Sequence, residues 1–393
     1  MLRGFLNTNT MNVLSLFNGM NCGFMALENL GIKVNKYFAS EIDKYANQAT
    51  KIINPKTVFL GDVTKVSYKN GVLYWDGGQQ KTKIDLILAG SPCQGFSFAG
   101  KQLNFNDDRS RLFFDFIRIK KELESENPKL KFLLENVRMI KESEAVISRF
   151  CSIEPIFINS KLLSAQSRPR LYWTNIGTNK NNLFGIEQPG IKQPKDKGIV
   201  LKDILQSDVN EKYFLSEKQI KSFNDQHTKN NKKKNGFKFQ PTTGDKKAKG
   251  LITSASKNLD CNYVFGKKFI LKKPIDSPFM LKEERTEKGK LIRKQSKKDY
   301  TPRNKQNKQY TNRQDKKANC LTTLKSNFDY VFLQKKIELN IRRLTPLEFF
   351  RLQTIPKKYA ELLLSSGISD TQLYKMAGNG WTVEVISYIL KHL

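Results

Sequence analysis

The first half of the chain alternates short apolar runs with segments whose apolar residues recur at helical spacing. Four apolar runs have the length of buried strands, namely Asn12–Phe17, Lys36–Ser40, Lys83–Ala89 and Lys131–Leu134. The helical segments between them are Phe24–Leu30, Asp43–Ile52 and Leu112–Leu123. Strands that alternate with helices predict a parallel sheet covered on both faces, in a doubly wound α/β fold whose ligands sit beyond the carboxyl ends of the strands.

The pattern changes after about residue 206. The stretches His227–Gly250 and Lys282–Lys317 are rich in Lys, Arg, Asn and Gln and poor in apolar residues. Such a composition is typical either of disorder or of a basic, loop-rich domain that orders on nucleic acid, and short apolar islands within it favour the domain. Periodicity then returns: Thr345 and Pro346 form a helix start, and Val383–Leu390 predicts a closing helix.

The net charge narrows the class of partner. The 393 residues carry a formal charge of +32, which points to a polyanion, with nucleic acid as the leading choice. Biased composition explains part of the Lys excess, but not the scarcity of acids. The chain has no apolar run of about 18 residues and no secretory signal at Met1, so we expect a cytoplasmic protein that does not enter a membrane.

Cysteine and histidine usage excludes several kinds of chemistry. None of the five cysteines forms a C-x-x-C pair, so neither a metal site nor a disulfide framework is expected. The only histidines, His227 and His392, lie in a Lys-rich stretch and next to the carboxyl terminus. This placement argues against Cys-His and Ser-His hydrolases.

Polar residues at successive strand ends predict a nucleoside pocket. The first strand leads into a glycine turn with Phe17 and Gly19, the second ends at Glu41, and a third reaches Asp62. A carboxylate about twenty residues after such a turn suits paired ribose hydroxyls, and Asp62 suits an adenine amino group. These residues alone do not distinguish a dinucleotide from S-adenosylmethionine.

Cys93 follows the next strand, in Ser91-Pro92-Cys93-Gln94. A lone cysteine is more often a small buried hydrophobe, but this one lies in a stiff turn beside the predicted pocket, which favours a nucleophile. The following loop, residues 95–111, has the length of a lid. Further along, Glu135 ends a strand, and Arg168 and Arg170 are spaced to share one strand face. The two arginines either hold a phosphate or a carbonyl oxygen, or they belong to a solvated basic strand.

The order of these motifs resembles the DNA cytosine-C5 methyltransferases. The segment from Pro92 to Gln102 resembles the bacterial and phage-type enzymes, whereas Val13–Phe17, Ser164–Trp173 and Gly378–Val383 are more similar to the animal de novo enzymes. The resemblance covers residues 11–177 and 341–391. It implies a Rossmann-like catalytic domain over 11–205, an inserted, smaller and basic target-recognition domain over 206–340, and a hinge and return of the chain over 341–393.

The resemblance also implies a mechanism and a set of site residues. Cys93 matches the nucleophile that adds to C6 of a flipped cytosine before the methyl group of S-adenosylmethionine is transferred to C5. Glu135 matches the acid that binds N3 and the exocyclic amine, Arg170 matches the group near O2, and Arg168 lies beside it. The implied cofactor positions are Phe17, Gly19, Glu41, Ile42, Asp62, Val63, Pro92, Leu112, Asn379, Gly380 and Trp381. The implied DNA contacts are Gln94, Ser97, Lys101, Thr322 and Thr323.

The sequence departs from the family pattern at two places, and it leaves two other functions possible. Ile42 replaces an aromatic residue, and Gly380-Trp381 replaces a Ser-Val pair. The rivals are a tRNA cytosine-C5 methyltransferase and an inactive DNA-binding scaffold. We expect a monomer acting on double-stranded DNA; the sequence leaves open the target site and whether a restriction endonuclease is its functional partner.

The family pattern begins at Met11, so we predict that residues 1–10 are dispensable. A chain that begins at Met11 should methylate DNA at the rate of the full chain in a methyl-transfer assay. Loss of activity in the shorter chain would contradict the prediction.

Overall fold

The structure is a computed structural model that describes residues 10–92, 108–178, 189–232, 239–251, 262–272, 281–285, 308–312 and 334–393. The described residues divide into two units. The first contains those up to Phe265 together with Ile341–Leu393, and the second contains those within Gly266–Asn340.

A seven-stranded sheet forms the centre of the first unit. In spatial order its strands are β3 (Val58–Phe59), β2 (Val34–Ser40), β1 (Met11–Leu16), β7 (Leu86–Ala89), β8 (Lys131–Val137), β11 (Pro169–Thr174) and β9 (Ile156–Asn159). The five strands from β3 to β8 are parallel to one another. Their carboxyl ends therefore meet at one edge of the sheet, as the sequence predicts.

The sheet differs from the all-parallel expectation at β11. This strand runs antiparallel to both β8 and β9. Only residues 160–168 connect β9 to β11, and they contain a short 3-10 turn and the two-residue strand β10 (Gln166–Ser167). A parallel crossover needs a dozen or more residues, so a connection of this length returns the chain in the opposite direction.

Both faces of the sheet are buried, which confirms the doubly wound prediction. On β1 the side chain of Val13 enters one apolar cluster, and those of Leu14 and Leu16 enter the other. Helices α1 (Cys22–Asn29), α2 (Lys44–Ile53), α3 (Asp108–Glu126) and α4 (Lys141–Cys151) follow the strands that the sequence predicts. The first two lie within a few residues of their expected places and α3 starts earlier than expected, whereas α4 was not predicted.

A small antiparallel sheet is inserted between β3 and β7. Its strands are β4 (Ser67–Lys69), β5 (Val72–Trp75) and β6 (Gly78–Lys81). The carboxylate of Glu126 on α3 accepts hydrogen bonds from the backbone N–H groups of Asn70 and Gly71, both at 2.6 Å. These contacts hold the turn between β4 and β5 against the carboxyl-terminal end of α3.

The carboxyl-terminal segment returns to the first domain. It contains α6 (Pro346–Leu352), α7 (Lys357–Leu364), α8 (Asp370–Asn379) and α9 (Val383–Leu390). Thr345 and Glu348 form a capping box at the start of α6, with Pro346 at the first helical position, as predicted. Helix α9 packs on the α1 side of the sheet, where the Ser387 hydroxyl donates to the carbonyl of Ala26 at 3.3 Å.

The basic middle of the chain is described in parts. In the first unit, α5 (Glu217–Lys232) packs over a small cluster of Leu215, Phe239 and Tyr263, and β12 (Ala248–Lys249) pairs with β10. Two strands, β13 (Tyr263–Lys272) and β16 (Gln334–Arg343), pair with each other and extend from the first unit into the second. The second unit also contains β14 (Leu281–Arg285) paired with β15 (Lys308–Asn312). That residues 206–340 act as a recognition domain stays a prediction.

Within the described parts of the chain, no helix has both the length and the apolar character that crossing a bilayer requires.

Arg342 and Glu348 form a buried ion pair at the start of α6, and we expect this pair to stabilise the folded protein. The Arg342 guanidinium donates to both carboxylate oxygens of Glu348, at 2.7 and 2.8 Å, and neither side chain is more than 3% exposed. The same carboxylate accepts from the backbone N–H groups of Thr345 and Gln206. Because Glu348→Ala leaves a buried cation unpaired, we expect it to lower the free energy of unfolding by about 3–5 kcal/mol.

Denaturant unfolding would measure this loss. Glu361→Ala is the matched control, because Glu361 pairs with Lys357 on the surface, where both side chains are more than half exposed, and such pairs contribute little. Equal losses in the two variants would refute the role of the buried pair.

Candidate functional site

The carboxyl edge of the sheet brings together most of the predicted residues. Phe17 follows β1, Glu41 follows β2, Asp62 lies just beyond β3, and Pro92 lies just beyond β7. Glu135 lies near the carboxyl end of β8. Residues about 120 positions apart in the chain thus lie along one crevice, which is where open α/β sheets bind ligands.

The turn after β1 has an unusual backbone. Phe17, Gly19 and Asn21 all have positive φ, at 57°, 57° and 68°. A bulky side chain such as that of Phe17 seldom adopts this conformation, and such strain clusters at binding sites. The Glu41 carboxylate holds the turn by accepting a hydrogen bond from the Gly19 backbone N–H at 2.8 Å. The glycine turn and the acid after β2, which the sequence assigns to one nucleoside pocket, are therefore in direct contact.

Asn21 is a residue of this turn that the sequence did not single out. Its side chain is fully buried, and neither its amide nitrogen nor its amide oxygen has a hydrogen-bond partner among the described residues. A buried amide without partners is costly. The only sequence signal was a polar residue inside a glycine turn, which is too common to identify a site.

After β2 and after β3, an acid is followed directly by an apolar residue: Glu41 by Ile42 and Asp62 by Val63. Ile42 follows Glu41 and is 78% exposed, whereas Val63 is buried at the start of a 3-10 turn. The Asp62 carboxylate caps that turn by accepting from the Thr64 backbone N–H at 2.9 Å and is otherwise exposed. This surface suits the flat face and polar edge of a base.

Glu135 is held by two donors from different parts of the chain. Its Oε1 lies 2.8 Å from Nε of Arg170 on β11, and its Oε2 lies 3.1 Å from Nε1 of Trp381. Glu135 and Arg170 lie on paired strands, because Tyr172 is opposite Glu135 and Arg170 is opposite Val137. The structure therefore joins Glu135 and Arg170, which the sequence matched to different edges of the same base, and adds Trp381, which the sequence had placed only in the cofactor pocket.

Arg168 makes different contacts from Arg170. Its guanidinium is buried and donates to the backbone carbonyls of Gly378 at 2.9 Å, Gly380 at 3.0 Å and Leu251 at 3.2 Å. Burial, and then the nearby Arg170 charge, lower the pKa of Arg168 to about 9, so the group stays protonated at neutral pH. Two of these three carbonyls, those of Gly378 and Gly380, belong to the segment that carries Trp381, and none of the three bonds goes to Glu135.

Gln353 supports the same backbone, and the sequence did not identify it. Its side-chain amide donates to the carbonyls of Ala377 at 2.6 Å and Gly380 at 3.0 Å, and its oxygen accepts from Thr382 and Gln166. The residue is fully buried. A single glutamine at the end of a short helix gives no signal of this role in the sequence.

Gly90 leaves room for the Trp381 ring. A Cβ atom added to Gly90 would lie 2.9 Å from Nε1 of Trp381, which is too close for a side chain unless the ring moves. A Cβ atom added to Gly23 would lie 3.6 Å from the ring, which is ordinary van der Waals contact. The indole therefore lies against the backbone between β7 and α1.

The remaining predicted residues are placed as follows. Leu112 lies near the start of α3 and packs half-buried against the apolar cluster of that face. Asn379 ends α8 and is exposed, and Gly380 follows it. The predicted nucleophile Cys93 and the predicted DNA contacts lie outside the described residues; these contacts are Gln94, Ser97, Lys101, Thr322 and Thr323.

Comparison with known proteins identifies the family. The sequence matches the family described as C-5 cytosine-specific DNA methylase over residues 11–393. It is 28% identical over 443 residues to the orphan methyltransferase M.SPRI of Bacillus phage SPR, covering 98% of this chain and 97% of the relative. It is 27% identical over 387 residues to the type II methyltransferase M.HpaII of Haemophilus parainfluenzae, covering 95% and 86%.

The fold has solved relatives as well. The structure of the Dnmt2 methyltransferase of S. pombe aligns with a TM-score of 0.57 at 16% identity, over 97% of each chain. At this identity the likeness supports the Rossmann-like fold alone. Because residues 11–393 match the family model, the chain belongs to the C-5 cytosine-specific DNA methylases and is a DNA (cytosine-5)-methyltransferase.

Proposed function

We propose that the chain methylates cytosine in double-stranded DNA by covalent catalysis, with Cys93 as nucleophile, Glu135 and Arg170 as base-holding groups and S-adenosylmethionine as methyl donor. The observation that carries the proposal is the Glu135–Arg170 pair at the carboxyl edge of the sheet, with an Nε–Oε1 distance of 2.8 Å. Strand β7, which leads to Cys93, is the direct neighbour of β8, which carries Glu135.

The residues of the crevice fit S-adenosylmethionine. The carboxylate of Glu41 suits the ribose hydroxyls, Asp62 suits the adenine amino group, and the exposed Ile42 side chain offers an apolar surface to the adenine ring. The unpartnered amide of Asn21 and the strained turn at Phe17 suit the polar methionine end. When bound, the cofactor supplies an electrophilic methyl group on a sulfonium.

Cys93 makes cytosine reactive. The thiolate forms a bond to C6, the electron pair of the C5–C6 double bond becomes available at C5, and C5 then takes the methyl group. A base removes the C5 proton, the double bond forms again and the carbon–sulfur bond breaks, which returns the thiolate. Among the described residues we assign no group to that last proton transfer, and water can serve.

Glu135 and Arg170 hold the base while its charge changes. Addition of sulfur at C6 places electron density on the ring, and the Glu135 carboxyl group stabilises it by sharing a proton with N3 and accepting from the exocyclic amine. Arg170 holds that carboxylate, and we assign it the contact with the O2 side of the ring. We assign Arg168 a positioning role, because its guanidinium donates to three backbone carbonyls.

Access to this crevice requires the target nucleotide to leave the duplex. The loop expected over 95–111 is shorter than the sequence predicts, because residues 108–111 belong to α3. We propose that residues 95–107 cover the flipped base and that the basic segment 206–340 selects the sequence, with Gln94, Ser97, Lys101, Thr322 and Thr323 among the DNA contacts. The protein is proposed to act as a monomer. The relatives include both an orphan and a type II methyltransferase, so a restriction endonuclease is a candidate functional partner.

The choice between DNA and tRNA is directly measurable. We expect methyl transfer from labelled S-adenosylmethionine to duplex DNA and none to tRNA, because the basic insert provides surface for reading a groove. Bisulfite sequencing of DNA from cells that express the protein would give the target site. Preferred methylation of tRNA would overturn the proposed substrate.

The nucleophile is tested by Cys93→Ser. This variant should lose at least about 1,000-fold in methyl transfer, and it should form no covalent complex with DNA that carries 5-fluorocytosine, whose fluorine cannot leave as a cation. Wild-type protein should form that complex.

Cys151→Ala is the matched control for this substitution. Cys151 is buried on α4, and burial raises the pKa of its thiol to about 12. The thiol therefore stays protonated, and its removal should leave methyl transfer unchanged. Equal activity of Cys93→Ser and wild type would exclude the covalent mechanism.

A further inference from the structure

We infer that Trp381 is a positioning residue for Glu135, in addition to any contact that it makes with the cofactor. The inference rests on the proposed role of Glu135. Trp381 and Glu135 are 246 positions apart in the chain, and the indole Nε1–H donates to Oε2 of Glu135 at 3.1 Å. From the sequence alone, Trp381 is predicted only as a cofactor-binding residue.

The two oxygens of Glu135 are held separately. Arg170 binds Oε1 through its Nε at 2.8 Å, and Trp381 binds Oε2. A carboxylate with one donor can still rotate about its last side-chain bond, whereas donors on both oxygens fix the plane of the group. The side chain of Glu135 is 12% exposed, so little water is available to replace either donor.

Trp381 is itself rigidly placed. Its ring lies where a Cβ atom on Gly90 would be 2.9 Å from Nε1. The preceding residue is fixed through its backbone: the Gly380 carbonyl accepts from Arg168 and from Gln353, both at 3.0 Å, and its N–H donates to Met376 at 2.8 Å. The donor is therefore preorganised, which is what stabilisation of a developing charge requires.

This arrangement predicts how Trp381 contributes to the reaction. A fixed carboxylate meets N3 and the exocyclic amine of cytosine in one orientation, and a small misplacement of a reacting group is costly in rate. Loss of the indole N–H should therefore slow the chemical step by up to about 100-fold, the cost of misplacing a reacting group by about 1 Å. Cofactor affinity should change little, because an aromatic ring still fills the space beside Gly90.

Trp381→Phe tests the inference, because it removes the N–H and keeps a ring. Trp173→Phe is the matched control: Trp173 is fully buried on β11, and its Nε1–H donates to the Ser148 hydroxyl at 3.0 Å, on the opposite face of the sheet from Tyr172. Both variants lose one indole hydrogen bond. The measurements are the single-turnover methyl-transfer rate at saturating S-adenosylmethionine, the dissociation constant for S-adenosylmethionine and the thermal unfolding temperature.

We expect Trp381→Phe to lower the single-turnover rate and to change the dissociation constant by less than about threefold. Trp173→Phe should lower the unfolding temperature and leave the rate at its wild-type value. A wild-type rate in Trp381→Phe would overturn the inference. So would a loss confined to cofactor affinity, which would make Trp381 only part of the cofactor pocket.

A double-mutant cycle with Glu135→Gln separates this inference from the proposed function. If Trp381 acts through Glu135, the two substitutions together should slow the reaction by much less than the product of their separate effects. Multiplicative effects would overturn the positioning role while leaving the function of Glu135 intact. A wild-type rate in Glu135→Gln would instead refute the proposed role of Glu135 and the inference with it.

Discussion

The site depends on one buried cation. Arg168 lies in the chain between β10 and β11. Its guanidinium donates to the carbonyls of Gly378 and Gly380 in the carboxyl-terminal segment and to that of Leu251. Burying a charge is unfavourable unless polar groups replace the lost water, and here backbone carbonyls do so. Since the carbonyls belong to segments far apart in the chain, the cation can be satisfied only when those segments have assembled. The position of the return segment and the burial of Arg168 are therefore coupled.

Uncharged polar groups extend this anchor. Gln353 bridges Ala377, Gly380 and Thr382, and the Thr382 hydroxyl lies 2.9 Å from that of Ser160. All the side chains in this network are buried, so each needs its partners in place. Such a network tolerates few alternative packings. It gives the segment that carries Trp381 one position relative to the sheet, which apolar packing of α9 alone would specify less well.

The sequence predicts the sheet and the positions of the strand-end residues because both follow from local patterns. Apolar runs place β1, β2, β7 and β8, and the rule that ligands bind beyond strand ends selects Glu41 and Glu135. The antiparallel course of β11 was not predicted, because it depends on the length of a connection and not on periodicity. The contact between Trp381 and Glu135 was not predicted either, since it joins residues 246 positions apart and the sequence alone carries no distance between them. Gln353 and Asn21 were missed for the same reason: their roles lie in burial and partners, and residue type does not reveal these.

Gly380-Trp381 replaces the Ser-Val pair of the family pattern, and the absence of a side chain at Gly90 makes room for the larger Trp381 ring. A side chain at position 90 would meet the indole at Nε1, the atom that donates to Glu135. The large ring and the missing side chain therefore act as a complementary pair: the glycine allows the ring to approach β7, and the ring then reaches β8. A small residue at position 381 would leave Oε2 of Glu135 to water or to another donor. In this chain the return segment therefore does more than close the cofactor pocket, because it supplies the second of the two groups that hold the proposed catalytic acid.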